Sequence, residues 1–262
     1  MKRRTNHTLV AILTALVYLF LVGPLVVIAV SSFGKEEYLQ FPITGFTTKW
    51  FFHMFKVGDF VPACVMSLEI AALATVLALA IGVPAAYAYS RHEFPGKAAI
   101  NVIFQSPVLI PGIVMGFVLM RYIVVLFSLP IFASLLVGHT LLCIPYVMRN
   151  VAAALQNVDV SVEEAALSLG ATRTQMLTGI VLPNIKSGML AACILSVINS
   201  FNNVPLSVFL SGPGTTLLPI AMLNYVEYHF DPTVAALSTA LMGVTIIVMI
   251  VVDKTMGLDK IA

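Results

Sequence analysis

Residues 8–30 carry no charged side chain, and they follow a basic start, Met1-Lys2-Arg3-Arg4. About 20 mostly apolar residues are what a helix needs to cross the hydrocarbon core of a bilayer, so this run reads as a membrane span. The rest of the chain is built the same way. Of its 262 residues 60% are hydrophobic and 10% are charged, against about 25% charged in soluble domains. A soluble fold has no surface on which to place so much apolar material, and disorder has the opposite signature of low hydrophobicity and high charge. A net charge of +2 is too small to argue for nucleic acid as a partner. Cys64, Cys143 and Cys193 lie in apolar runs, where a lone cysteine behaves as a small buried hydrophobe and not as part of a disulfide framework. The histidines, at positions 7, 53, 92, 139 and 229, are scattered without metal-ligand spacing.

The charged residues partition the chain into six expected spans: 8–30, 61–89, 98–126, 131–148, 188–210 and 233–252. The fold class expected is therefore an all-α polytopic membrane protein forming one transmembrane domain over 1–262. Glu69 is the one charge within the second span. Pro107 and Pro111 are expected to bend the third span, and Gly112-x-x-x-Gly116 in it permits close helix packing. Phe127-Ser-Leu-Pro130 reads as a tight turn. With the N-terminus inside, inner segments hold ten basic residues: Lys2, Arg3, Arg4, Arg91, Lys97, Arg149, Arg173, Lys186, Lys254 and Lys260. Outer segments hold four, Lys35, Lys49, Lys56 and Arg121. This asymmetry places both termini in the cytoplasm. A cleaved signal peptide competes for the first run, with Ala29-Val30-Ser31 as its cleavage site, but the run is about twice the usual h-region length and reads as an uncleaved span.

Two extramembrane segments are long. Residues 31–60 lie outside and are expected to form an interfacial loop or short helix with Trp50 at the headgroup level. Residues 149–186 lie inside, and here local signals predict a helix–Gly–helix unit. Ser161-Val-Glu-Glu164 reads as a capping box, Thr172-Arg-Thr-Gln175 as a second. Gly170 between them tolerates the left-handed conformation of a helix C-terminus, and Pro183 is expected to stop the second helix shortly after Ile180. Such a unit is too small to bury its own Leu167, Leu169, Met176 and Ile180, which must pack on the ends of the spans or on a partner.

Glu164-Ala165-Ala166, three residues, Gly170, nine residues, then Ile180-Val181-Leu182-Pro183 resembles, position by position, the EAA signature of binding-protein-dependent ABC importer permeases. Further stretches are similar to the spermidine/putrescine branch of that family: Gly45-Phe-Thr-Thr-Lys-Trp50, Ser106-Pro107, Pro111 to Gly116, His139 with Pro145-Tyr146, and Ser211-Gly212-Pro213. The resemblance implies a permease subunit of the bacterial inner membrane whose cytoplasmic loop, through Glu164, Ala165, Ala166, Gly170, Ile180, Leu182 and Pro183, couples to an ATP-hydrolysing partner. It implies two copies of that ATP-binding subunit, a second permease that in this branch is usually a different chain, and an external solute-binding protein. This chain lacks any Gly-x-x-x-x-Gly-Lys-Ser/Thr phosphate loop. No catalytic residue and no cofactor are therefore expected on it, with ATP and Mg held by the partner.

Polar groups at bilayer depth are costly and are candidates for the substrate pathway. The fifth span carries the densest set, Asn199, Ser200, Asn202 and Asn203, followed by Pro205 and Ser207, and it predicts a locally broken helix that lines a cavity or faces the second subunit. Hydrogen bonding between helices explains the same residues. Glu69 either lines the pathway or caps a neighbour. In the polyamine branch the matching stretch carries acidic residues; here Asn202 and Asn203 stand instead. That substitution favours a zwitterionic, singly charged or anionic solute, such as an amino-acid derivative, an opine or an aminophosphonate, over a polycation. Arg121 reads as an interfacial anchor, and Tyr225, Glu227, Tyr228 and His229 as an outer loop that could meet the binding protein. A stand-alone secondary transporter or channel would predict inverted repeats and an ionic coupling site, neither of which is evident. An intramembrane serine hydrolase would need a paired nucleophile and base, and His139 has no serine partner evident in sequence.

Overall fold

The computed structural model describes residues 7–256; Lys2, Arg3, Arg4 and Lys260, part of the orientation argument, lie outside the described residues. Among the described residues the regular structure is helical, with one isolated bridge between Gly34 and Phe46. In chain order come α1 (His7–Ser31), α2 (Lys49–His53), α3 (Phe60–Arg91), α4 (Lys97–Leu109), α5 (Gly112–Leu119) with a π-helical continuation Met120–Leu126, and α6 (Ile131–Gln156). Then follow α7 (Val160–Ser168), α8 (Arg173–Met176) with a π-helical stretch Leu177–Val181, α9 (Leu182–Asn184), α10 (Lys186–Phe201), α11 (Ser207–Leu210), α12 (Leu218–Tyr228) and α13 (Thr233–Met256). Four helices, α1, α3, α6 and α13, are singly long and apolar enough to cross a membrane, and two bent helix pairs raise the number to as many as six.

The chain divides into two compact units, Met1–Val61 with Met222–Ala262, and Pro62–Ala221. In the first, α1 packs on α13, and α13 on α2. Most of α1 stays open to its surroundings, Phe20 at 80% exposure, as an apolar wall in lipid requires. The expected short helix forms as α2, with Trp50 in it. Its side chain is buried, and its indole Nε1 donates to the Gly34 carbonyl at 2.8 Å. The apolar ring and its single N–H are thus both satisfied within the protein. Asp231 accepts from the Thr233 backbone N–H (2.9 Å) and the Tyr225 hydroxyl (2.8 Å) at the start of α13. Burial raises its carboxyl, but these hydrogen bonds together outweigh it and hold the group below the usual carboxylate range. Glu227, Tyr228 and His229 are exposed.

In the second unit α6 is the most enclosed span, with 61% of its most apolar window buried. Close approach depends on small residues, since lipid tails compete equally for larger apolar ones. Ala71, Ala74, Ala78 and Ala86 of α3 are fully buried, and a Cβ added at Gly82 would lie 2.7 Å from the Val147 side chain of α6. Gly188 brings α10 equally close to Ala154 and the Asn150 carbonyl of α6. The third expected span breaks by 100° between α4 and α5. Of the two prolines expected to bend it, Pro107 lies inside α4 and Pro111 stands at the break as the residue before α5. Pro107 is absorbed because the bend needs an extended residue before proline, and Ile110 supplies it at φ −83° and ψ 129°. The Phe127–Pro130 turn is present, with Ser128 at φ 52°. Helix α6 runs eight residues beyond the expected 148, so Arg149 sits on it.

Candidate functional site

The cytoplasmic-loop candidates occupy α7 to α9. The helix begins earlier than the expected capping box: Asp159 is the N-cap, its carboxylate accepting from the Ser161 backbone N–H at 2.9 Å. This is a correction. Ser161 falls within the first turn, where its hydroxyl has no N-cap geometry, and Glu164 is released from a capping role onto the exposed side of α7. The hydrogen bonds from Ser161 hold the Asp159 carboxyl below its usual range.

At its other end α7 closes as expected. Gly170 adopts φ +91°, its N–H donates to the Leu167 carbonyl (3.0 Å), and the Ala171 N–H donates to the Ala166 carbonyl (3.1 Å). Those two bonds are the Schellman pattern that a left-handed glycine permits. The second capping box is present in both halves, Gln175 N–H to Thr172 Oγ1 at 3.3 Å and Thr172 N–H to Gln175 Oε1 at 2.8 Å. Pro183, in contrast, does not end the helix. The chain widens into the π-helical stretch Leu177–Val181 and continues through α9 to Asn184. A proline at the first turn of a new helical segment gives up an N–H that would have lacked a partner there. The turn comes afterwards, and α8–α9 meet α10 at 68°. Met176 is buried, Ile180 half-buried, and Leu169 is 89% exposed.

The sequence reading missed Glu163. It is the one buried residue of α7. Its Oε1 accepts from Arg91 Nε at 2.8 Å and its Oε2 from the Tyr87 hydroxyl at 2.7 Å. Arg91 Nη2 also donates to the Val158 carbonyl at 2.7 Å. No local spacing announces a pair separated by 72 residues; the only sequence signal is an arginine at the end of an apolar run and a spare glutamate beside the motif.

The fifth expected span is broken, as its polar residues predict: α10 ends at Phe201 and α11 begins at Ser207. The asparagines divide into different tasks. Asn199 donates to the Tyr146 hydroxyl of α6. Asn203 Oδ1 accepts from the Leu206 N–H at 3.0 Å, bracing the next turn across the break. Asn202, exposed, bonds only within its own helix, to the Ile198 carbonyl. Ser200 is buried, and its hydroxyl lies 2.8 Å from Nδ1 of His139, whose Nε2 lies 3.3 Å from the Ser207 hydroxyl. His139 thus has two serine partners that were not evident in sequence, one on each side of the break. Both imidazole nitrogens are engaged by hydroxyls and the ring is fully buried, an arrangement without the orienting third group that an activated nucleophile and base use. Gly112 and Gly116 of α5 face the same break: a Cβ at Gly116 would lie 3.1 Å from the Leu206 backbone. Glu69 is exposed on α3 and Arg121 exposed on the π-helical stretch. Among the described residues no group of three His, Cys, Asp or Glu side chains could hold a metal ion.

Residues 78–255 match the family described as the inner membrane component of binding-protein-dependent transport systems. The chain is 31% identical over 244 residues to the spermidine/putrescine transport system permease protein PotC of Escherichia coli, covering 93% of this chain and 92% of the relative.

The chain belongs to this family.

The permease is also 28% identical to the putrescine transport system permease protein PotI of E. coli, over 86% of this chain and 83% of that one. It is 29% identical, over 97% and 95% of the two chains, to a Salmonella paratyphi A protein provisionally named the 2-aminoethylphosphonate transport system permease protein PhnV. Among solved structures it resembles a chain of a bacterial ABC transporter involved in import of the polysaccharide alginate, with TM-score 0.74, 19% identity, and 97% and 98% coverage. A chain of the MetNI methionine ABC transporter matches at TM-score 0.60 and 20% identity, over 76% and 95%. These two likenesses show the fold. The permease is a membrane transport subunit of an ABC importer, and in this family ATP is hydrolysed on a separate subunit.

Proposed function

We propose that residues 1–262 form one six-span transmembrane domain of an importer, with both termini in the cytoplasm and residues 149–186 as its coupling loop. The exposed edge of α7, with Glu164 and Ala165 in the open and Leu167 and Leu169 uncovered, is the observation that carries this reading. An apolar edge capped at both ends and left bare needs a partner. Glu164, Ala165, Ala166 and Gly170 form the edge presented to the ATPase, and Ile180, Leu182 and Pro183 return the loop to the span. Two ATPase copies, a second and different permease chain and an external binding protein complete the assembly. ATP-driven closure of the two motor subunits moves the coupling helices together and alternates access to the pathway.

The proposed solute is small, polar and amine-bearing. Relatives named for polyamines and for an aminophosphonate bracket its chemistry. Neutral Asn202 and Asn203 favour a zwitterion such as an amino-acid derivative or aminophosphonate over a polycation. Asn199, Ser200, Asn202, Asn203 and Glu69 are assigned to the pathway, and exposed Glu69 faces water or the second permease, because an unpaired carboxylate toward lipid is costly. The test is a ligand panel on the cognate binding protein, followed by ligand-stimulated ATPase activity of the complete complex in vesicles. Stimulation by zwitterions is expected; stimulation by polyamines alone refutes the solute assignment, and transport by this chain without any ATPase refutes the reading as a whole.

A further inference from the structure

The motif of residues 164–183 leaves out Glu163, the one buried residue of α7. The first polar neighbours of Glu163, Arg91 and Tyr87, are one helical turn apart at the end of α3, and the third point is the Val158 carbonyl just beyond α6. The pair is closed off from solvent, with Arg91 and Glu163 side chains 9% and 6% exposed. Enclosing an ion pair costs desolvation that apolar side chains of equal volume avoid, so its presence is more readily explained by fixed geometry than by stability. Little else of α7 is held: Val160, Val162 and Leu167 are exposed, and Ala166 is only partly packed on the core.

We propose that Glu163, Arg91 and Tyr87 are positioning residues of the coupling helix. Their latch joins α7 to the end of α3, so that a displacement imposed on α7 is delivered to a span as rigid motion. Without it α7 pivots between its caps at Asp159 and Gly170, and motor closure is spent on the loop. The proposal rests on the reading of residues 149–186 as the coupling loop.

The experiment uses the complete importer, with both permease chains, the ATPase and the binding protein, in vesicles. It measures solute taken up per ATP hydrolysed, normalised to ATPase bound per permease. Paired neutralisation, Glu163→Gln with Arg91→Met, removes the latch without stranding a charge. It is expected to retain the ATPase and to lower uptake per ATP about tenfold, within the usual range of coupling free energies. Tyr87→Phe deletes a single hydroxyl and is expected to lower the ratio by a smaller factor, so it decides the matter if the double variant fails to assemble. A purely structural role would reduce the amount of complex and leave uptake per ATP unchanged, and that result overturns the latch. Failure of the unsubstituted chain to bind any ATPase overturns the coupling-loop reading instead.

Discussion

Glu163 and Glu164 are neighbours of identical chemistry, and one helical step sends them to opposite surroundings. Glu163 turns inward to Arg91 and Tyr87, while Glu164 stays in the open. Gly170 is fixed more narrowly, because its φ of +91° is a conformation L side chains rarely adopt. A Cβ at Gly170 meets no neighbouring atom, so the effect of Gly170→Leu is expected on the backbone, about 1–2 kcal/mol against the left-handed turn. The expected outcome is ATP hydrolysis uncoupled from transport, read in reconstituted vesicles; undiminished substrate-stimulated transport contradicts it. His139 is held by hydroxyls on both sides of a helix break. His139→Ala strands the Ser200 hydroxyl, whereas Ser207 keeps the Asn203 carbonyl. A loss of about 1–2 kcal/mol is expected, seen as a lower melting temperature in detergent. Combination with Ser200→Ala should add little if the two act through one bond.

At the scale of elements, α7 owes its start to Asp159 and its end to Gly170, and both ends were marked by residue type although one was misplaced by two positions. Serine and aspartate are comparable N-caps, so the sequence offered two starts, and the geometry of the chain leaving α6 selected the earlier one. Asp159 carries a pH consequence. Its carboxyl is held low by the hydrogen bonds from Ser161, so the stabilisation by the charged cap is complete above the ordinary carboxylate pKa. It is lost as pH falls through the lowered folded value, below about 4. Hydrogen-exchange protection of the first turn of α7, taken relative to the intrinsic rate at each pH, should therefore fall on acidification in this window. Asp159→Asn, which caps without titrating, should abolish that component, and an unchanged profile would refute the assignment. The break at Pro111 and the π-helical passage into Pro183 show the converse case. Proline marked an irregularity at each site, but only the packing decided whether the chain bent, as at Pro111, or passed through, as at Pro107 and Pro183.

At the scale of the molecule, the distribution of basic residues makes one prediction that helix packing does not. A fluorescent protein fused to the C-terminus should mature in the cytoplasm, and alkaline phosphatase fused there should be inactive; the reverse result overturns the proposed orientation. Membership of the family, and with it the placing of ATP hydrolysis on a separate subunit, was legible in the motif from Glu164 to Pro183, because its residue types stand at fixed short spacing. Apolar runs likewise marked the four helices long and apolar enough to cross a membrane, α1, α3, α6 and α13, since hydrocarbon excludes charge regardless of what the helix packs on. Three features required the tertiary structure: the burial of Trp50 with its bond to Gly34, the two serines on His139, and the latch of Glu163 on Arg91. Their partners lie 16, 61 and 68, and 72 residues away, and hydrogen bonds across such separations depend on how the helices pack. What the sequence alone determined was therefore the solvent of each segment and the local starts and stops of its helices. Which polar side chains meet inside was decided only when small residues such as Gly82, Gly116 and Gly188 let those helices approach.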